Sequence, residues 1–189
     1  MGGSDGNARL TAAAAAVLLV LLAGEGATIP FIHQALTWHV LLGLALVPPV
    51  LLKLGSTAWR FVRYYGGDGE YVAKGPPPPF LRFLVAPLVT VTTVVLFGTG
   101  IALVVEHPHG GLVLGLHKVS FVIWFGAMTL HVLAHTETVW RQLRVGITRA
   151  LPGRTLRQAL VGLSLVAGVG AAMLGIHAAD AWSHWRGGH

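Results

Sequence analysis

The sequence LHKVSFVIWFGAMTLHVLAH, residues 116–135, is an apolar run long enough to cross a membrane as one helix. It places His117 and His131 fourteen residues apart, with His135 four residues further on. Fourteen helical residues leave two side chains only about 40° apart around the axis and about 21 Å apart along it. Ionisable residues inside a membrane span are costly and usually functional. The stretch is therefore predicted to be a membrane helix that presents cofactor ligands at two depths.

The composition of the chain is typical of a polytopic membrane protein. Of its 189 residues only 11% are charged, whereas soluble domains have about a quarter. The net charge of +6 is concentrated in two short segments, which indicates membrane topology and no nucleic-acid partner. The chain has no cysteine, so disulfides, iron–sulfur clusters and covalently attached c-type haem are excluded. Any redox cofactor must be held by histidine or methionine, or non-covalently.

Five apolar segments predict an all-α transmembrane bundle within a single domain, 1–189, with a four-helix cofactor-binding core plus one helix. They cover residues 10–29, 31–62, 80–105, 112–139 and 156–185. The flanks of the first segment also fit a cleaved signal peptide, although retention as a span is the favoured interpretation. Pro48 and Pro49 interrupt the second segment and predict a kink or a gap in its hydrogen bonds.

The basic residues predict an orientation for these spans. Loops 63–79 and 140–155, together with their flanks, hold nine of the thirteen Lys and Arg residues, so the positive-inside rule places both loops in the cytoplasm. Residues 106–111 and the C-terminus then lie outside, and the second and fourth spans both run from outside to inside. With that topology His39 and His117 lie at similar depth near the outer side.

Two histidines at equal depth on facing helices can ligate one haem iron from both sides of the ring. His39 and His117 are therefore the predicted ligands of an outer haem b. The glycines Gly43, Gly98 and Gly100 would clear room for it, since only glycine lets a backbone approach so closely. Hydrogen-bonded packing is the alternative for either histidine alone, and His177 in the fifth segment is a rival ligand to His39. His177, Asp180 and His184 near the end of the fifth segment, with His33, His107 and His109, give an outer face rich in histidine. The favoured interpretation is a haem-edge environment with interfacial histidines, and the alternatives are an outer metal site or a quinol site.

A second, inner haem would use His131, about 21 Å deeper in the membrane. Fourteen residues after His39 the chain has Lys53 instead of a second histidine, and the first segment has none. The inner haem is therefore absent, bound by His131 with another sixth ligand, or completed by another subunit. His131 and His135, four residues apart, could instead bind a metal ion together.

These residues resemble a known family. The motif LTWHVLLG at residues 36–43, the run from His117 to His131, and the linker from Tyr64 to Pro79 are similar to bacterial cytochrome b561. They are also similar to the membrane cytochrome b subunits of nickel–iron hydrogenases and formate dehydrogenases, particularly small actinobacterial forms. The resemblance covers the first four spans. It implies a bacterial inner-membrane protein with an outer haem on His39 and His117. It also implies an inner haem on His131 and a first-span histidine, which this sequence lacks.

The expected function is electron transfer by a b-type haem between a quinone pool or membrane donor and a redox partner protein or larger complex, with membrane lipid around it. One haem is expected and a second is open. Nothing in the sequence resembles a flavin, molybdenum or nicotinamide site, so substrate chemistry would belong to the partner. Two alternatives remain. One is a small transmembrane ferric or quinone reductase. The other is a non-redox structural or assembly subunit whose histidines pack or bind a metal.

Overall fold

A computed structural model describes residues 2–76, 78–106, 111–148 and 151–179. Within these ranges the chain forms helices and turns, with no β-strand, which confirms the all-α class. The α-helices are α1 (Gly3–Thr28), α2 (Ile32–Tyr65), α3 (Gly69–Val72), α4 (Ala86–Glu106), α5 (Leu112–Thr148) and α6 (Arg154–Leu174). A 3-10 turn, Ile29–Phe31, joins α1 to α2, and a wider π turn, Leu81–Val85, precedes α4.

The surface of the bundle is apolar, as a multi-pass membrane protein requires. Four helical stretches are long and apolar enough to cross a membrane: Gly3–Tyr65, Leu81–Val105, Leu112–Val145 and Arg154–Leu174. At most 22% of the most apolar window of each stretch is buried inside the protein. Large side chains such as Val20, Val122 and Val166 point outward instead. An apolar surface of this extent is stable only against lipid or another protein.

The first of these stretches, Gly3–Tyr65, is a helical hairpin. Near its open end the Asn7 side-chain amide donates to the Ser56 carbonyl at 3.0 Å. Near its closed end Thr28 contacts His39. The reversal comes at the 3-10 turn, where Pro30 lies early in the turn and Phe31 leaves helical geometry. Helices α1 and α2 therefore run antiparallel along their whole length.

Four helices close into a ring. Around it α1 packs on α2, α2 on α4, α4 on α5, and α5 on α1. Helices α2 and α5 occupy opposite corners, and no Cα of one lies within 8 Å of the other among the described residues. The remaining long helix, α6, packs mainly on α2, outside the ring. Side chains that α2 and α5 direct inward therefore meet in the centre of a four-helix bundle.

Helices α4 and α5 pack closely against each other in the ring. Val85, Val89 and Ala127 make a buried apolar cluster between them. Closer to the site, the Trp124 indole N–H donates to Thr93 Oγ1 at 2.9 Å, so a buried polar group is satisfied across the pair. These contacts fix the rotation of α5 and hence the direction in which its histidines point.

The proline pair of α2 lies inside a continuous helix, and the only non-helical backbone within α2 is at Ala35. The prolines therefore remove backbone hydrogen bonds from α2 but do not break the helix. Pro49 has no N–H to donate to the Ala45 carbonyl. Gly168 of α6 lies directly against that carbonyl, so closely that a Cβ atom there would clash with it. Helix α6 thus approaches α2 where the prolines have removed a backbone donor.

Both basic segments lie at the same end of the bundle. The Ser4 backbone N–H donates to Glu70, and Lys74 pairs with Asp5, so the 66–79 loop touches the N-terminus. A Cβ atom at Gly2 would meet the Pro152 carbonyl, which brings the linker before α6 to that end. The helices are longer than predicted: α1 begins at Gly3 and α5 continues to Thr148, through much of the predicted 140–155 loop.

Candidate functional site

The structure brings His39 of α2 and His117 of α5 together inside the ring. Their ring centroids are 6.4 Å apart, and the ring planes are nearly perpendicular, at 85°. Because the backbones of α2 and α5 do not approach each other, the two imidazoles face each other across an interhelical space. The depth argument from the sequence paired the same two residues.

The hydrogen bonds of His117 fix its tautomer. Its Nδ1 lies 3.1 Å from the Leu96 carbonyl oxygen, which can only accept, so Nδ1 carries the proton. The same nitrogen lies 3.1 Å from Thr99 Oγ1, whose own proton is donated to backbone carbonyls of α4. The Nε2 of His117 therefore keeps its lone pair, and it has no hydrogen-bond partner in the part of the chain described.

His39 is held in the same tautomer by α1. Its Nδ1 lies 2.9 Å from Glu25 Oε1 and 2.9 Å from Thr28 Oγ1. The Thr28 hydroxyl already donates its proton to the Glu25 carbonyl at 2.6 Å, so towards His39 it can only accept. Nδ1 of His39 is therefore the donor, and Nε2 has no hydrogen-bond partner among the described residues. Sequence reasoning gave neither Glu25 nor Thr28 a role at this site.

This arrangement is the one that metal-ligating histidines adopt. Such histidines donate their second ring N–H to a carboxylate, carbonyl or water, which fixes the ring and frees the other nitrogen for the metal. The ring centroids of His39 and His117, 6.4 Å apart, are close enough that one metal ion bound to both could lie between them. His39 and His117 are therefore the residues that would hold such an ion between α2 and α5.

The three predicted glycines have different surroundings. A Cβ atom on Gly100 would lie 3.2 Å from Cε1 of His117, so this glycine lets α4 lie against the imidazole. A Cβ atom on Gly43 would lie 3.5 Å from Glu25 Oε1, which places Gly43 beside the carboxylate that holds His39. Gly98 is exposed, and a Cβ atom there would meet nothing within 4 Å. The structure therefore brings Gly98 into contact with neither imidazole, and its role in making room at the site stays a prediction.

The deeper histidine, His131, has different neighbours. His131 stacks on His135 with ring centroids 4.4 Å apart, and the only charge that reaches it from α2 is that of Lys53. His131 Nδ1 is buried and has no hydrogen-bond partner in the described structure. The described residues contain no group of three or more histidine, cysteine or acidic side chains that could hold a metal ion. At the inner position His131 is thus stacked on His135, and Lys53 of α2 is near enough to influence it electrostatically.

His177 is exposed and lies just after the C-terminal end of α6, which is the helix outside the ring. The structure therefore does not place it as a rival to His39. The other predicted outer residues His107, His109, Asp180 and His184 fall outside the described residues, as does the C-terminal end of the predicted fifth span.

The histidine pair is thus the feature on which a functional assignment depends. Comparison with protein-family models, with characterised proteins and with solved structures gives no match to this chain. What the site can do follows from its own chemistry: two imidazoles are anchored through Nδ1, and neither Nε2 has a hydrogen-bond partner among the described residues. Imidazole nitrogens of this kind could hold iron, copper or zinc, or the iron of a haem.

Proposed function

We propose that the chain is a five-span membrane protein that holds one b-type haem between His39 and His117. It would pass single electrons between a quinone or another membrane donor and a redox partner protein. The proposal includes kinship with the bacterial cytochrome b561 group and a place in the bacterial inner membrane. A bound haem would supply the one-electron chemistry.

The observation that carries the proposal is the geometry of the two imidazoles. Each has Nδ1 anchored by a hydrogen bond and Nε2 free, and the centroid separation of 6.4 Å suits one iron between them. Each Nε2 has no hydrogen-bond partner among the described residues and is therefore available to a ligand. Helices α2 and α5 stand at opposite corners of the ring, and no Cα of one lies within 8 Å of the other among the described residues.

The five-span count and the orientation belong to the same proposal. Helices α1 and α2 have 26 and 34 residues and run antiparallel, so the Gly3–Tyr65 stretch can cross the membrane twice. The two basic segments lie at one end of the bundle, which the positive-inside rule would place in the cytoplasm. The histidine pair then lies near the outer side, where a quinone or an extracytoplasmic partner can exchange electrons with it.

Purified protein is expected to show an α-band near 560 nm after reduction with dithionite, as b-type haem does. The pyridine haemochromogen assay is expected to give one haem per chain, since Lys53 stands where a second pair would need a histidine. Two haems per chain would place the second at His131. Absence of the band from protein made in haem-sufficient cells would remove the redox proposal and leave a structural or metal-binding role.

The contact between α4 and His117 gives a matched pair of variants. Gly100→Val would push branched methyl groups into an imidazole edge that already lies 3.2 Å from a Cβ atom. We expect it to lower haem occupancy about tenfold, the usual order for loss of a contact that orients a metal ligand. Gly98→Val, two residues away on the exposed side of α4, should keep wild-type occupancy. Equal occupancy in both variants would show that haem does not depend on His117 in this orientation.

A further inference from the structure

The Glu25 carboxylate is buried in the apolar bundle beside His39. Its side chain is only 14% exposed, and it comes from α1, which sequence reasoning left without a ligand role. An ionisable group at this depth is costly unless it is paired or functional. Oε1 lies 2.9 Å from His39 Nδ1, whereas Oε2 is buried without a hydrogen-bond partner in the described structure. Glu25 thus has its one side-chain hydrogen bond with the imidazole.

Helix α1 is built to hold that carboxylate in place. The Thr28 hydroxyl ties the last turn of α1 by donating to the Glu25 carbonyl, and it also accepts from His39. Gly43 of α2 lies one turn below His39, and its missing side chain leaves room for Glu25 Oε1, 3.5 Å from where a Cβ atom would be. A Cβ atom at position 43 would make ordinary van der Waals contact with the carboxylate, so Gly43 lies directly beside it. Thr28 and Gly43 therefore both lie next to the hydrogen bond between Glu25 and His39.

The two imidazoles of the pair consequently have unequal electronic character. His117 donates to a neutral backbone carbonyl, whereas His39 donates to a carboxylate. Hydrogen bonds to charged acceptors are about twice as strong as those between neutral groups. A carboxylate partner raises the basicity of a ligating histidine, and the effect is transmitted to the metal.

We propose that Glu25 is a positioning residue that fixes the His39 tautomer and lowers the midpoint potential of the iron held by His39 and His117. The inference rests on the proposed function, since it concerns the haem site. A nearby negative charge favours the oxidised, more positively charged state of the iron. Glu25 would not touch the metal, and it would act through the imidazole of His39 and through the field of its own charge.

The test is a potentiometric titration of the α-band in wild-type protein and in Glu25→Gln. Glutamine keeps the size and an acceptor oxygen but removes the charge, so haem should be retained. The reduction equilibrium constant should increase about tenfold, which is a rise of about 59 mV for a one-electron couple. Glu137→Gln, an exposed carboxylate on α5, removes the same charge far from the site and should leave the potential unchanged.

A wild-type potential in haem-loaded Glu25→Gln would overturn the inference while leaving the haem proposal intact. If wild-type protein shows no α-band, the haem proposal itself fails, which is seen before any variant is made. If Glu25→Gln loses haem but Glu25→Asp keeps it, the carboxylate is needed to hold His39, and the positioning role is supported. If Glu25→Gln and Glu25→Asp lose haem equally, the charge is not the cause, and the inference is rejected.

Discussion

Under the proposed function, replacement of His117 by alanine is expected to remove essentially all haem from the protein, and His39→Ala is expected to do the same. Each variant removes one of the two histidines that would hold the haem, and the described ring helices offer no other histidine at that depth. The measurement is the α-band absorbance per milligram of detergent-purified protein, which should fall to the level of a haem-free preparation.

Folding must be separated from ligation in these variants. His39→Ala leaves Glu25 with no side-chain partner, and loss of a partner from a buried charge is destabilising by itself. His117→Ala frees only a backbone carbonyl and the Thr99 hydroxyl, so it is the cleaner variant. His131→Ala serves as the matched control on α5, because it removes a histidine from the same helix and should retain the outer haem. Full α-band in His117→Ala with a native elution volume would contradict the pairing.

The pairing of His39 with His117 could be predicted because helical rise is regular. The number of residues from the end of each span gives the depth of a side chain in the membrane. Lys53 and His131 each come fourteen residues after a histidine of the outer pair, so both are expected about 21 Å deeper. The structure agrees at both depths, since Lys53 is close enough to His131 to influence it electrostatically. The all-α class and the membrane-length helices follow from composition in the same way. Depth along an axis is thus accessible from sequence when the topology is right.

Rotation about the axis and contacts between helices were harder to predict. Gly98 and Gly100 are two residues apart, about 200° around a helix, so they cannot both face the same imidazole. The sequence argument nevertheless assigned both to the site. Glu25 lies in a stretch that also fits a signal peptide, and only the tight 3-10 turn returns α2 so that His39 meets it. The position of α6 outside the ring, which removes His177 from the site, depends on packing that no local pattern encodes.

Substitution of Gly168 by alanine is expected to lower the thermal stability of the protein. A Cβ atom there would strike the Ala45 carbonyl, a backbone atom that cannot rotate away, so α6 would have to move off α2. Overpacking of this kind typically costs about 1–3 kcal/mol. For a chain of this size that corresponds to a fall in Tm of roughly 5 °C. The loss should appear in thermal unfolding followed by circular dichroism in detergent.

Gly170→Ala is the matched control for this substitution. Gly170 lies on the same helix two residues away, and a Cβ atom there would meet nothing within 4 Å. Both variants gain the same intrinsic helix propensity, about 1 kcal/mol for alanine over glycine, so the difference between their Tm values isolates the contact with Ala45. Because Pro49 leaves the Ala45 carbonyl without its helical donor, the close approach of Gly168 is the contact that covers this oxygen from α6. Equal Tm values for the two variants would mean that α6 does not pack against α2 at the proline pair.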